Sequence, residues 1–343
     1  MNVDRVLLAS PRGFCAGVEM AIKALAWMVR AFEPPVYCYH EIVHNQLVVD
    51  RFRGLGVVFV DDVAEVPRGA PLMLSAHGSA PEVVVAARET GGYVVNAVCP
   101  LVTKVHHEVK TRAGKGFAVL YVGHEGHDEA VGTMAVAPDD THLVETEADV
   151  ADLVDPGRPV ALLAQTTLSH QDWSGVLDAA RRRFPDLWMP GRSDLCFATT
   201  NRQSALVQIA RRCDAVVVIG SANSSNTVAL AKVATATGCP RVLRVNDPDE
   251  LPDDLEGVIG VTAGASAAEE VVAAILDRLA PLNGVEEVSI TTEDEYFPPP
   301  RELRELLGAI TTLAGFALAS PSNVPGALDR DLSASTVLAS LRP

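Results

Sequence analysis

Short apolar runs alternate with amphipathic stretches along most of the chain. Val6-Leu7-Leu8-Ala9 passes through Pro11-Arg12-Gly13-Phe14-Cys15 into Val18, Ile22, Leu25 and Val29, which recur at helical spacing. Leu72-Met73-Leu74 leads to Ser75-Ala76-His77-Gly78, and Val119-Leu120-Tyr121-Val122 leads to Gly123-His124-Glu125-Gly126-His127. Ala161-Leu162-Leu163-Ala164 leads to Gln165-Thr166-Thr167. Val216-Val217-Val218-Ile219 runs into Gly220-Ser221-Ala222-Asn223-Ser224-Ser225-Asn226, and Val258-Ile259-Gly260-Val261 into Thr262-Ala263-Gly264-Ala265-Ser266. Continuous apolar strands alternating with helices predict an α/β fold of parallel sheets covered on both faces. In such folds ligands bind beyond the carboxyl ends of the strands, where helix N-termini present free N–H groups. The polar residues above all fall there.

Three cysteines share that placement. Cys15, Cys99 and Cys196 each sit in a turn that opens a helix, where a thiolate is favoured by free N–H groups and the dipole. Their spread suggests three similar α/β units, each bringing one thiolate to a common centre: residues 15–98, 99–195, and 1–14 with 196–283. Beyond these the character changes. Glu286, Glu287, Glu293 and Glu295 make the segment acidic, Pro298-Pro299-Pro300 stiffens it, and residues 308–343 read as a weakly ordered tail.

Composition narrows the chemistry. A net charge of −16 over 343 residues argues against a nucleic-acid protein, and Arg181-Arg182-Arg183 reads as the solvated end of a helix. An anionic ligand must therefore be held by local donors. Val6-Leu7-Leu8-Ala9 is too short for a signal-peptide core, and no apolar run approaches membrane-spanning length, so a cytoplasmic location away from membranes is expected. In that compartment the six cysteines are thiols or metal ligands rather than disulfides. Cys38 within a strand, Cys213 on the apolar face of Leu206, Ile209 and Ala210, and Cys239 after Gly238 read as buried and inert. Cys15, Cys99 and Cys196 suit an iron–sulfur cluster with one open iron or a three-cysteine zinc site, and their spacing does not choose between the two.

His40-Glu41-Ile42-Val43-His44 matches the zinc-protease signature H-E-x-x-H, which requires a helix. The preceding Val36-Tyr37-Cys38-Tyr39 reads instead as a strand ending at His40, and Leu47 and Asp50 stand where an extended signature needs Gly and His. A zinc hydrolase using His40, Glu41 and His44 is thus the minor alternative. His44, His77 and His127 each sit in a polar turn. One such histidine is usually a surface or capping residue; three, with Ser224, Ser225, Asn226 and Ser266, compose a cradle of donors suited to a phosphate or diphosphate. Glu129 beside such a cradle is electrostatically awkward unless it gives up a proton, with Thr166 and Thr167 as candidate relays; a solvated loop carboxylate is the plain alternative. Neither G-x-G-x-x-G after a strand nor G-x-x-x-x-G-K-[ST] occurs.

Eight segments, in order, resemble the 4-hydroxy-3-methylbut-2-enyl diphosphate reductase family across roughly residues 3–305. They are Pro11 to Val18, His40 to Asn45, Ser75 to Gly78, Cys99 to His106, Gln165 to Ser169, Cys196 to Gln203, Asn223 to Asn226, and Thr262 to Ser266. The resemblance implies a trefoil of three α/β units around one [4Fe–4S] cluster held by Cys15, Cys99 and Cys196. It implies that His44, His77, His127, Ser224, Ser225, Asn226 and Ser266 hold the substrate's diphosphate. Glu129 would be the proton source, with Thr166 between it and the substrate and His127 adding polarity. A ferredoxin- or flavodoxin-type electron donor is implied as partner. Departures are Asp128 where Pro is common, Val131 where Glu is frequent, and Ala268 where Pro is frequent; Asp128 is expected to raise the basicity of His127. They leave open a paralogue with altered rate or substrate; a cluster-bearing redox sensor is the non-enzyme alternative.

Overall fold

The computed structural model describes residues 1–317 and 329–341. The first six strands are β1 (Asn2–Ser10), β2 (Val36–Tyr39), β3 (Val57–Val60), β4 (Leu72–Leu74), β5 (Val94–Asn96) and β6 (Ala118–Val122). The others are β7 (Thr141–Val144), β8 (Val160–Ala164), β9 (Ala215–Ile219), β10 (Val242–Val245), β11 (Glu256–Ala263) and β12 (Val285–Ser289). By compactness the chain divides into one unit of Met1–Cys15 with Leu101–Asp294 and another of Ala16–Pro100 with Glu295–Pro343.

The first unit holds a five-stranded sheet ordered β10-β9-β11-β1-β12 and a three-stranded sheet ordered β7-β6-β8. The second holds a four-stranded sheet ordered β3-β2-β4-β5. All pairings are parallel. The chain is therefore α/β with three small parallel sheets. Each range expected around a cysteine contains one sheet, with β12 added from beyond residue 283. Apart from Cys99 and Pro100, which fall in the second unit, two of those ranges share the first, together with Cys15; there Cys196 N–H donates to Thr166 O at 3.0 Å and Thr167 Oγ1 donates to Ser225 Oγ at 3.0 Å.

Strand alternation builds a core on each face of the two sheets in the first unit. Val6, Leu8, Val217 and Val261 pack against Val272 and Ile275, while Leu7, Ala9, Val216 and Val218 pack against Leu206, Ile209 and Leu230. In the smaller sheet, Leu120 and Leu162 meet Val176 and Ala180, and Val119 and Leu163 meet Val105 and Val109. Burying each large aliphatic side chain contributes about 1.5–3 kcal/mol. In the second unit, Leu72 and Leu74 pack with Val60, Val63 and Ala87. Among the described residues no helix is long and apolar enough to cross a membrane.

The C-terminal segment departs from expectation. Residues 318–328 and 342–343 of the expected weakly ordered tail lie outside the described residues. Of the rest, Arg301–Ala317 and Ala334–Ser340 are helices, the second capped by Ser333. Buried charge anchors this second helix. Lys23 is 3% exposed; its Nζ donates to Asp329 O at 3.0 Å and Leu332 O at 3.1 Å, and pairs with the Asp329 carboxylate at 3.2 Å. Ala334 N–H donates to Glu19 Oε2 at 2.6 Å, and Arg51 Nη2 donates to Leu338 O and Leu341 O. The partners lie some 300 residues apart, so an Ala- and Ser-rich composition gave no sign of them. Removing residues 329–343 takes away Asp329 and the two carbonyls that hold Lys23, leaving Glu19 at 4.0 Å as its carboxylate partner, and uncovers the apolar face that Ala334, Val337 and Leu338 bury, a loss of about 3 kcal/mol. The thermal unfolding midpoint of the shortened protein is expected to fall by roughly 5–10 °C; an unchanged midpoint refutes the anchoring.

Candidate active site

In the first unit, β1, β6, β8, β9 and β11 all end in loops carrying the expected polar residues. The Cys15 loop turns at Gly13, whose φ is +67° and whose N–H donates to Ala263 O; a Cβ there would stand 3.3 Å from Ala267 O. Both facts call for glycine. Cys15 N–H then donates to Ala265 O at 3.0 Å. Cys196 caps the helix Phe197–Ala210: its Sγ accepts from Thr199 N–H at 3.2 Å and lies 3.0 Å from Thr199 Oγ1.

Asn226, 3% exposed, links the two cysteine segments. Its Oδ1 accepts from Ala265 N–H at 2.9 Å and its Nδ2 donates to Thr199 Oγ1 at 3.3 Å. A short chain of hydrogen bonds thus runs from the Cys15 backbone to the Cys196 sulfur. The Cys196 thiol is pushed up to about 11, chiefly by burial and then by the charge of Cys15, against the hydrogen bonds from Thr199. Two neighbouring thiolates in such surroundings need a positive centre to carry their charge, which is what a metal or iron–sulfur group provides.

Glu129 lies in the short helix Asp128–Met134 and is 2% exposed. Its Oε1 accepts from Thr166 N–H at 2.8 Å and its Oε2 from Thr166 Oγ1 at 2.9 Å. Burial raises its pKa to about 7 against both of those hydrogen bonds, with a smaller push from Asp194. Asp194 is itself raised by burial and held by Lys104 Nζ at 3.1 Å. At neutral pH Glu129 is therefore a carboxyl poised to give or take a proton.

The expected diphosphate cradle is divided between the units. In the first, His127 caps the Glu129 helix, its Nδ1 accepting from Glu129 N–H at 3.1 Å. Ser224 caps Ser225–Ala236, and Ser266 Oγ lies 3.5 Å from Ser224 Oγ. Ser225 Oγ is fixed by Gln165 Nε2 at 3.2 Å, Thr167 and His124. In the second unit, the His44 and His77 rings stack with centroids 3.8 Å apart, and Cys99 N–H donates to Ala76 O at 3.0 Å beside them in sequence. His40 to His44 lie between β2 and the helix Gln46–Gly54, outside any helix, with His40 at φ +57°. The one-face geometry of a zinc protease is absent from that segment.

The other cysteines separate cleanly. Cys15, Cys99 and Cys196 are half-buried, whereas Cys38, Cys213 and Cys239 are buried. Burial pushes the Cys38 thiol far up and that of Cys213 to about 12, so both stay protonated. Each of Cys15, Cys99 and Cys196 thus fits an iron–sulfur ligand in donor type and partial access.

Two buried groups escaped the reading of the sequence. Gln165, with no exposed surface, accepts from His124 N–H and donates to Thr167 and Ser225. Arg202, also fully buried, contacts both the Cys15 loop and the Cys196 helix. Its signal was present: Ala198, Arg202, Ala205, Leu206 and Ile209 share one helical stripe, and a cation in an apolar stripe demands partners.

The LytB protein family model matches residues 6–280. A Rhodopirellula baltica protein called 4-hydroxy-3-methylbut-2-enyl diphosphate reductase is 46% identical over 310 residues, covering 89% of this chain and 97% of its own. A Mycobacterium bovis protein called 4-hydroxy-3-methylbut-2-enyl diphosphate reductase 2 is 47% identical over 310 residues, covering 87% and 94%. The solved E-1-hydroxy-2-methyl-but-2-enyl-4-diphosphate reductase of Plasmodium falciparum superposes with a TM-score of 0.86 at 31% identity, over 91% of this chain and 100% of its own.

Glu129 also makes stability depend on pH. Its folded pKa of about 7 lies above the ordinary 4.5, so the folded state binds the proton more tightly. Its contribution is full below pH 4.5 and is lost as pH rises through about 7. Relative to the parent, Glu129→Gln should gain about 3 kcal/mol across that window and level off above it. Denaturant unfolding at stepped pH reads this; a pH-independent difference contradicts the raised value.

Proposed function

The chain belongs to the LytB family, and on that premise we propose that it is a 4-hydroxy-3-methylbut-2-enyl diphosphate reductase of the non-mevalonate isoprenoid route, acting in the cytoplasm. It takes (E)-4-hydroxy-3-methylbut-2-enyl diphosphate, two electrons and two protons to isopentenyl or dimethylallyl diphosphate and water. Cys15, Cys99 and Cys196 would hold a [4Fe–4S] cluster through their thiolates. When bound, that cluster supplies electrons one at a time and an iron without a protein ligand as Lewis acid. A ferredoxin- or flavodoxin-type protein delivers the electrons.

The residues do the rest. His44, His77, His127, Ser224, Ser225, Asn226 and Ser266 hold the diphosphate by hydrogen-bond donors, so binding does not rely on the overall charge, which is repulsive at −16. The twelve-residue helix opening at Ser225 adds free N–H groups and the positive end of its dipole. Gln165 keeps the Ser225 hydroxyl oriented. Glu129 holds the proton that leaves with the hydroxyl oxygen, and Thr166 fixes the carboxyl through its N–H and its hydroxyl. The observation that carries this reading is the Glu129–Thr166 pair: a fully buried carboxyl near pKa 7, in the unit that also brings Cys15 and Cys196 within electrostatic reach of each other.

Substituting Cys15, Cys99 or Cys196 with Ser should each abolish the broad visible absorption of anaerobically purified protein and its stoichiometric iron and sulfide. Cys38→Ser should abolish neither, and colour retained in any of the first three variants removes that residue from the ligand set. Glu129→Gln should keep the absorption and bind the diphosphate substrate within a few-fold of the parent, while turnover with a strong chemical reductant falls by about 10²–10⁴. Near-normal turnover excludes Glu129 as the proton source. Absent turnover in a cluster-loaded parent would favour the sensor reading.

A further inference from the structure

We infer that Arg202 is a positioning residue that sets the separation of Cys15 and Cys196, and so the geometry in which their thiolates can share one cluster; this rests on the cluster reading above. Among the described residues Arg202 is the largest fully buried side chain, with 0% exposure. It lies in the helix that Cys196 caps, and Nη1 donates to Ala198 O at 2.9 Å in the first turn of that helix. The other side of the guanidinium reaches the loop that delivers Cys15. Nε and Nη2 donate to Gly13 O at 3.1 and 2.8 Å, and Nη2 to Phe14 O at 3.4 Å. These are the two carbonyls immediately before Cys15. One planar group therefore spans both cysteine segments.

Its charge is balanced within the same unit. Glu293 accepts from Nη1 at 3.0 and 3.1 Å, and Asn201 Nδ2 holds that carboxylate at 2.9 Å. Burying such a pair gains the core nothing that a well-packed apolar side chain would not supply. What an apolar side chain cannot do is satisfy the inward carbonyls of Gly13 and Phe14, and a loop with those groups unpaired would shift to reach water. Lysine fails differently: its single compact ammonium cannot face Gly13 O, Ala198 O and Glu293 in one plane as the guanidinium fork does. Metal–sulfur bonds tolerate errors of only about 0.2 Å, so a clamp on the backbone before one ligand and the helix behind another bears directly on cluster retention. The same cation is also a fixed positive charge within the helix that Cys196 caps. A fixed positive charge near a cluster also favours its reduced state.

The test uses the full-length protein purified without oxygen, comparing the parent with Arg202→Lys and Arg202→Gln. Arg112→Gln serves as control, because Arg112 stabilises the same unit by stacking 3.7 Å over the Trp188 ring and pairing with Glu108. The readouts are the half-life of visible absorption under excess iron chelator, the cluster reduction potential, and the thermal midpoint. Both Arg202 variants should shorten the half-life by about tenfold or more. Arg202→Gln should also move the potential to more negative values, while Arg202→Lys, which keeps the charge, should stay near the parent. Arg112→Gln should lower the midpoint and leave the half-life alone. A half-life within twofold of the parent in the Arg202 variants overturns the inference, as does an equal loss in Arg112→Gln at a matched midpoint. Should the Arg202 variants fail to fold, Glu293→Gln loosens the fork from the other side: a half-life several-fold shorter supports the clamp, and an unchanged one overturns it. A parent protein with neither colour nor iron would refute the cluster reading itself, a separate outcome.

Discussion

Parallel pairing makes the strands of each sheet leave by one edge, and an apolar core on both faces makes that edge the place where polar side chains can gather outside the apolar layers. In the larger unit the loops after β1, β6, β8, β9 and β11 all emerge there, carrying Cys15, His127, Thr166, Ser224 and Ser266. In the smaller unit the loops after β2, β4 and β5 carry His44, His77 and Cys99 in the same sense. Helices start where these strands stop, so N–H groups and dipole ends arrive with the side chains. The chemistry is thus a consequence of strand polarity before it is a consequence of any one residue.

Electrostatics explains why the donors are of the kind they are. A chain this acidic cannot attract an anion at long range, and a cluster of lysines at the edge would be drawn into pairs with its many carboxylates. Hydroxyls, imidazoles and backbone N–H groups avoid that competition. His127 illustrates the choice. Its Nδ1 accepts the Glu129 N–H, a role only the neutral ring can fill, which leaves the proton on Nε2.

Much of this was legible in the sequence because strand and helix periods, and the turns between them, are local properties. The run Val216 to Ile219 followed by polar residues announces a buried strand and a loop at its carboxyl end wherever it occurs. Cys38 could be set apart from Cys15 because one sits inside an apolar strand and the other in a Pro-Gly turn. His40 could be kept out of a helix because the residues before it read as a strand. What escaped was non-local. β12 joins β1 from the far end of the chain, with Val6 opposite Val285, and Glu286 and Glu287 in it looked merely acidic. The final helix is held by Lys23, Glu19 and Arg51, residues whose partners no window of sequence contains. Arg202 lay between these cases: its place on an apolar stripe was visible, but Gly13 and Glu293 as its reasons were not.

The Glu129 site shows how two opposed influences are combined into a working value. Burial alone would keep the carboxyl protonated throughout the physiological range, and the two hydrogen bonds from Thr166 alone would keep it ionised. Together they leave it near pKa 7. Both hydrogen bonds come from one residue, at the carboxyl end of β8, and that residue's carbonyl in turn accepts from Cys196 N–H. The proton-bearing group and one of the candidate cluster ligands are therefore set by the same short segment. A shift of Thr166 that weakened its grip on Glu129 would also move the Cys196 backbone, so proton supply and ligand geometry are coupled by covalent and hydrogen-bonded connection through Thr166. That coupling fits the density of buried polar residues here, Gln165, Thr166, Asp194, Thr199 and Arg202 among them, beside sheets whose faces are packed mainly with aliphatic side chains.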